Sequence, residues 1–363
     1  MGIKNLGAFL REKCPGAIGV ISIKHFKGMK IAIDTFGWMY TNMAVVQKKV
    51  INSTNILVEE PDRREILKNW LSAALEFAAL LTSNEITPVF VFDGEAPIEK
   101  AETKESRKND KKALLDKIAG LKSGTTEKDP LLINEGTVAE LKKLMSQVIN
   151  IGSREIEAFK TVMDSVGIPI VQAKHEGEQL CSMLCREGKV SAVFSADTDN
   201  LVYGCPVLLN GFADEYSYSS TGERVRQFNC ISHKMVLDML SLNSSEFVDL
   251  CIMAGCDYNT NIYRIGAVTA YKMIQTHGNI DNIVSMSKYV ESGKCLKHER
   301  CRELFTPVPS DTLMISGKLD IDTKRLTNAR EILESYGLGG YVERFVFVYS
   351  LLPKQKIKLR VLN

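Results

Sequence analysis

Four short apolar runs rich in β-branched residues, "MKIAIDTF" (29–36), "TPVFVFDG" (87–94), "GIPIVQAKHEGE" (167–178) and "SAVFSADTD" (191–199), each lead directly into carboxylates. Helical patterns separate them: "REILKNWLSAALEFAALLT" before the second, "REIEAFKTVMDSV" before the third, and "GEQLCSMLCREGK" between the third and the fourth. Nearly continuous apolar strands alternating with helices predict a buried, mostly parallel sheet of the α/β class. In such sheets ligands bind beyond the carboxyl ends of the strands. Asp34, Asp93, Glu176, Glu178, Asp197 and Asp199 are therefore expected on one rim.

A single acidic strand end is equally well explained as a turn or a helix cap. Four strand ends carrying six carboxylates are harder to explain that way. Asp197 and Asp199, two apart at a strand end, would leave on the same side, and like charges that close raise a pKa. A counter-charge is expected. Carboxylate oxygens with water select hard cations such as Mg²⁺ or Mn²⁺ over zinc. Two such ions about 4 Å apart can stabilise both the attacking and the leaving oxygen of a phosphate displacement. Glu176 and Glu178 can cooperate only if the first precedes the helix, because positions two apart on a helix point nearly opposite ways, at about 100° per residue. Gly177 permits that start, and the helix dipole favours carboxylates there; an acidic first turn with no ligand role is the alternative.

A chain of 363 residues with 45% hydrophobic and 25% charged side chains suits one large core or two domains, and excludes disordered and fibrous classes. No window approaches the roughly 20 apolar residues of a membrane span, and "MGIKNLGAFLREK" has no signal-peptide apolar region. An intracellular protein with no membrane partner is expected, its nine cysteines reduced. Gly2 does not signal myristoylation, because Leu6 stands where that motif has Ser or Thr. The net charge of +2 leaves any nucleic-acid reading to where charges lie. In "EKAETKESRKNDKK" (99–112), Lys100, Lys104, Arg107, Lys108 and Lys111 fall at i, i+4, i+7, i+8 and i+11, one basic stripe if helical. An ordinary solvated helix has the same look, but the position just beyond Asp93 favours a phosphate grip. The stretch 119–136, "AGLKSGTTEKDPLLINEG", reads as a mobile connection.

The segments "MGIKNLGAFLREKCPGAI", "AIDTFGWMY", "PVFVFDG", "GIPIVQAKHEGEQLCSML", "VFSADTDNLVYG" and "CIMAGCDYNTNIYRIGAVTAYKMI" span most of residues 1–285. In that order and nearly that spacing, the set resembles the flap endonuclease branch of the XPG (Rad2) nuclease family. The resemblance implies a PIN-like central, mostly parallel sheet flanked by helices. It implies an N-terminal nuclease region over 1–94, a helical arch and cap over 95–150, an internal nuclease region over 151–258, and a helix-hairpin-helix region with C-terminal helices over 259–363, all within one compact nuclease domain.

The activity implied is metal-dependent cutting of branched DNA, such as 5′ flaps, near the single-strand/double-strand junction, in replication, repair or recombination. Two Mg²⁺ or Mn²⁺ ions would be held by Asp34, Asp93, Glu176, Glu178, Asp197, Asp199 and Asp257, the last in "GCDY". By the same resemblance, Lys100 and Arg107 contact the scissile phosphate and Tyr40 stacks on the base at the cleavage site. Gly2, Lys104, Lys108, Lys111, Arg264 and Gly266 complete the DNA contacts. From the residues alone, Tyr40 reads as a half-buried helix residue. Branched or nicked DNA is the expected partner, the protein a monomer, and its place the nucleus or another site of DNA replication.

Several positions depart from the family pattern. In "NIYRIGAVTAYKMIQTHGNI" (261–280), Arg264 replaces the first glycine of the hairpin turn and leaves only Gly266, which puts the implied K⁺ site in question. Gln47 stands at a basic duplex-contact position, and Phe77 at another. The C-terminus, "FVYSLLPKQKIKLRVLN", does not carry the glutamine and paired aromatics of a sliding-clamp motif, although Lys354, Lys356, Lys358 and Arg360 alternate there as possible DNA contacts. "CLKHERC" (295–301) is short of the four ligands of a structural zinc site, and Cys181 and Cys185 read as core. His25 and His175 are assigned no chemistry. A 5′-3′ exonuclease or a junction resolvase is the alternative within the family. A non-catalytic nucleic-acid-binding scaffold is the alternative outside it, opposed by the complete carboxylate set.

Overall fold

The computed structural model describes residues 2–126, 135–218 and 221–352. Lys354, Lys356, Lys358 and Arg360 lie outside the described residues. The strands are β1 (Ile18–Ser22), β2 (Lys30–Asp34), β3 (Thr87–Phe92), β4 (Ile170–Ala173), β5 (Ala192–Phe194), β6 (Val207–Phe212), β7 (Ser217–Tyr218), β8 (Arg224–Val225), β9 (Gln227–Ser232) and β10 (Met314–Gly317). β7 and β8 form a separate small hairpin. The other eight form one sheet in the order β1-β9-β6-β5-β2-β3-β4-β10.

The five central strands, β6, β5, β2, β3 and β4, are parallel; β5, β2, β3 and β4 are the four apolar runs expected from the sequence, and β6 adds a fifth. β9 and β1 extend one side antiparallel, and β10 closes the other against β4. Ile31, Ala32, Ile33, Val89, Phe90 and Val91 are fully buried, so both faces of the central strands are covered. Among the described residues no helix is long and apolar enough to cross a membrane.

The chain divides into two compact units, each discontinuous in sequence. The first comprises Met1–Gly37, Asn84–Ala101 and Ile170–Asp320, and holds the whole sheet. Its core joins one face of the sheet to the helices Gly177–Arg186 and Ser244–Ala254 through Val91, Val171, Leu180, Leu184, Val193, Leu250 and Met253. Cys181 and Cys185 belong to that core, as expected.

The second unit comprises Trp38–Ser83, Glu102–Pro169 and the chain from Ile321 onward, and is helical. Trp38 stacks on Phe77 with ring centroids 5.6 Å apart, and Phe159 lies 5.4 Å from Trp70. Phe77, the departure at a basic duplex-contact position of the family, is 7% exposed and a core aromatic. Gln47 also does a structural job. Its amide donates to the carbonyls of Met145 (2.9 Å) and Val148 (3.0 Å), holding the end of the helix Glu135–Gln147. Ile51, Ile56, Ile118, Leu141 and Val148 form a small apolar cluster beneath that contact.

The expected loop at 119–136 is corrected. The helix Ala101–Thr126 runs through its first eight residues, and 127–134 lie outside the described residues. Leu114, Ile118 and Leu121, at i, i+4 and i+7, all pack in the small cluster, and that apolar face outweighs the glycines.

Candidate metal centre

Each predicted strand-end carboxylate is set by the local turn that follows it. β2 ends on Asp34, whose Oδ1 accepts from Gly37 N (3.1 Å) and whose Oδ2 accepts from Ser195 Oγ (2.7 Å). Ser195 in turn accepts from Asp197 N (2.9 Å), so one hydroxyl ties the ends of β2 and β5 together. Asp93 follows β3 and accepts from Gly177 N (2.8 Å), the first amide of the helix Gly177–Arg186. Gln172 Nε2 donates to the carbonyl of Asp93 at 2.6 Å. A β-carbon on Gly177 would sit 2.5 Å from Asp93 Oδ1, so only glycine allows that approach.

Glu176 is the N-cap of the same helix and Glu178 lies in its first turn, the arrangement needed for the two to cooperate. Asp199 N donates to Asp197 Oδ1 (3.1 Å), and Ile3 N donates to Asp199 Oδ1 (2.8 Å). The N-terminal segment therefore lies on this part of the rim, and a β-carbon on Gly2 would overlap Asp197 Oδ1. Asp257 follows the helix Ser244–Ala254 across Gly255, whose φ of 100° is open to glycine. Asn259 fixes this loop, accepting from Cys256 N and donating to the carbonyls of Ile252 and Leu296.

Asp34, Glu176 and Asp199 are 3%, 5% and 7% exposed, far below what carboxylates tolerate without compensation. Burial, then the charges of Asp34 and Glu176, push Asp93 up to about 7. Burial is also the first cause that raises Asp34 and Asp197, and it lifts Glu178 and Asp199 well above the carboxylate range. Lys100 Nζ donates to Glu176 Oε2 at 2.5 Å and lies 3.4 Å from Asp257 Oδ2. Burial works against its charge, yet Glu178 and Glu176 hold its pKa above the ordinary lysine value.

The donor set fits hard divalent cations: carboxylate oxygens alone, buried, mutually repelling, with Glu178 Oε2 buried and without a hydrogen-bond partner. Among the described residues no three His, Cys, Asp or Glu side chains are arranged to hold a metal ion. In the 295–301 segment His298 pairs with Asp281 at 3.0 Å.

The remaining predicted residues are distributed differently. Tyr40, 39% exposed, and Lys104, Arg107, Lys108 and Lys111, all exposed, belong to the second unit. Lys111 Nζ donates to Ile149 O (3.2 Å) and Asn150 Oδ1 (2.5 Å). At the hairpin turn the left-handed position is taken by Arg264 itself, φ 62°, at a cost of about 1–2 kcal/mol for a non-glycine residue. Gly266, expected to supply the turn, is extended and caps the helix Ala267–His277. The Arg264 guanidinium lies over the ring of Tyr263, which is 81% exposed. Ser195, Gln172 and Asn259 were not singled out in the sequence. Ser195 had one signal, a hydroxyl two residues before Asp197 at a strand end.

The description XPG N-terminal domain matches residues 1–114, and XPG I-region matches residues 167–257. Flap endonuclease 1 of Cryptosporidium muris is 33% identical over 287 residues, covering 78% of this chain and 57% of that protein. Flap endonuclease 1 of Candida dubliniensis is 31% identical over 309 residues, covering 84% and 77%. The chain thus spans little more than half of the first relative and about three quarters of the second. Among solved structures, flap endonuclease-1 from Methanococcus jannaschii superposes with a TM-score of 0.58 at 22% identity, covering 92% of this chain and 96% of that one. The catalytic core of Rad2 in complex with DNA substrate gives 0.60 at 16%, covering 97% and 100%.

The fold is that of the flap endonuclease and Rad2 nucleases, a mostly parallel sheet with an acidic rim. The chain belongs to the XPG family, on its flap endonuclease branch.

Proposed function

We propose that the protein is an intracellular, structure-specific 5′ nuclease that hydrolyses phosphodiesters of branched DNA near the single-strand/double-strand junction. The observation that carries this reading is the acidic rim: seven buried or half-buried carboxylates from five segments of the chain, one with an unpartnered oxygen, in a chain of this family. Asp34, Asp93, Glu176 and Glu178 would hold one divalent cation, and Asp197, Asp199 and Asp257 a second. When bound, Mg²⁺ or Mn²⁺ supplies an activated water and neutralises charge developing on the phosphate.

The chain's own residues do the rest. Ser195 and Gln172 fix the strand ends, so the carboxylates are held in place before DNA arrives. Lys100 and Arg107 present positive charge to the scissile phosphate, Tyr40 a face for the terminal base, and Gly2 lets the N-terminal segment lie beside Asp197. Lys104, Lys108 and Lys111 would follow the single strand on an arch and cap over 95–150. Arg264 and Gly266 would meet the duplex from the hairpin region, with the guanidinium of Arg264 contacting phosphate. The protein would act as a monomer.

The test is cleavage of end-labelled flap, nicked and four-way substrates with Mg²⁺, the flap free or blocked at its 5′ end. Products cut near the flap junction are expected. Mononucleotide ladders would favour the exonuclease, and paired symmetric cuts the resolvase. No cleavage of any substrate would leave the scaffold reading.

A further inference from the structure

The acidic rim has two electrostatic halves that meet at Asp34 and Asp197, and one cationic side chain reaches both. Asp93 and Glu178 feel Asp34 and Glu176, while Asp199 feels Asp197 and Asp257. Lys100 reaches Glu176 in the first half at 2.5 Å and Asp257 in the second at 3.4 Å. The three side chains are 14%, 5% and 11% exposed, so water screens these pairs little. The charge of Lys100 also acts on Asp34, Asp93, Glu178, Asp197 and Asp199.

We propose that Lys100 is the resident counter-ion of this rim, an ammonium that bridges its two halves in the metal-free protein and yields its place when a divalent cation binds. This rests on the divalent-cation reading above. The backbone around Lys100 suits such exchange. It ends a single 3₁₀ turn, Ile98–Lys100, whose Ile98 is 83% exposed and whose Glu99 is anchored outward by Arg300 at 2.7 Å. The turn is therefore pinned at Glu99, while the lysine side chain is a flexible stem carrying a point charge. One ammonium cannot satisfy seven carboxylates, and Glu178 Oε2 is left without a donor. Once displaced, the same ammonium is free to meet an incoming phosphate, so one residue serves the metal-free rim and the loaded site in turn.

The experiment needs no DNA. Mn²⁺ is titrated into the wild-type protein, Lys100→Met and Lys100→Arg by electron paramagnetic resonance, with thermal unfolding in chelator confirming that each is folded. Acetylation of Lys100 is followed by mass spectrometry with and without Mg²⁺, with Lys234 on the exposed surface as internal reference. Lys100→Met is expected to bind Mn²⁺ about tenfold more tightly, with Lys100→Arg close to wild type. Acetylation of wild-type Lys100 is expected to rise severalfold with Mg²⁺ while Lys234 is unchanged. Mn²⁺ affinity unchanged or weakened in Lys100→Met, or Lys100 equally protected with and without Mg²⁺, overturns the proposal and leaves the metal reading standing. No Mn²⁺ bound by any of the three proteins removes the metal reading and the proposal together.

Discussion

Asp93 shows most directly what the rim costs the fold. Its pKa is pushed up to about 7 by burial and by Asp34 and Glu176, against about 3.9 in an unfolded chain. Between those values the folded protein holds a proton that the unfolded chain has lost, so stability falls as pH rises. His233 acts with the opposite sign at lower pH. Burial, then the charge of Arg186, lowers it to about 4, so its contribution is lost as pH falls below about 6.5. The melting temperature in chelator should therefore fall from about pH 6.5 to about pH 8, and saturating Mg²⁺ should flatten that fall; thermal scans at fixed ionic strength measure both. Ser195 gives a second prediction at this scale. Ser195→Ala removes the bond to Asp34 and the acceptor for Asp197 N, and Mn²⁺ affinity should drop by about 10–100-fold in the same titration. Unchanged affinity would leave Ser195 a turn residue only.

The residues that could be read from the sequence share one property. Asp34, Asp93, Asp197 and Asp199 end or follow nearly continuous apolar runs, and Gly177 signals where the Glu176/Glu178 helix begins. Asp257 has no such signal, because a helix end, Gly255 and the bonds of Asn259 bring it to the rim. It entered through the family resemblance alone.

At the scale of elements, one expectation failed. Polar and glycine-rich composition suggested a loop at 119–136, while Gln47 and Phe77 already departed from the basic duplex-contact positions of the family. In each case packing between helices decides. Leu114, Ile118 and Leu121 give the long helix an apolar face, Phe77 stacks under Trp38, and Gln47 bonds the end of a neighbouring helix. Gln47→Ala should remove the side-chain donor of two part-buried carbonyls, Met145 O keeping only the bond from Val148 N, at a cost of about 1–3 kcal/mol, while leaving metal binding unchanged. Hydrogen exchange of the amides in 135–148 should accelerate while those of the central strands do not. Uniform acceleration across the chain would contradict the local role of Gln47.

Across the whole molecule, four of the five parallel strands, β2, β3, β4 and β5, were legible because each carries a buried run that leads into carboxylates; β6 was not. Nor were the flanking antiparallel strands. β1 and β10 are short, half-exposed and without that ending, and only their partners β9 and β4 make them strands. The sheet exists to hold the rim, and the net charge of +2 contributes little to DNA affinity by itself.

The central claim is that the carboxylates carry cleavage and do not serve DNA binding. Cleavage of an end-labelled 5′-flap substrate with Mg²⁺ by wild type and Asp199→Asn, with binding of the same substrate measured in parallel in chelator, tests it in one comparison. Wild-type cleavage near the junction, a fall of at least about a hundredfold in the variant, and comparable binding by both are expected. Cleavage by Asp199→Asn at close to the wild-type rate would contradict that claim.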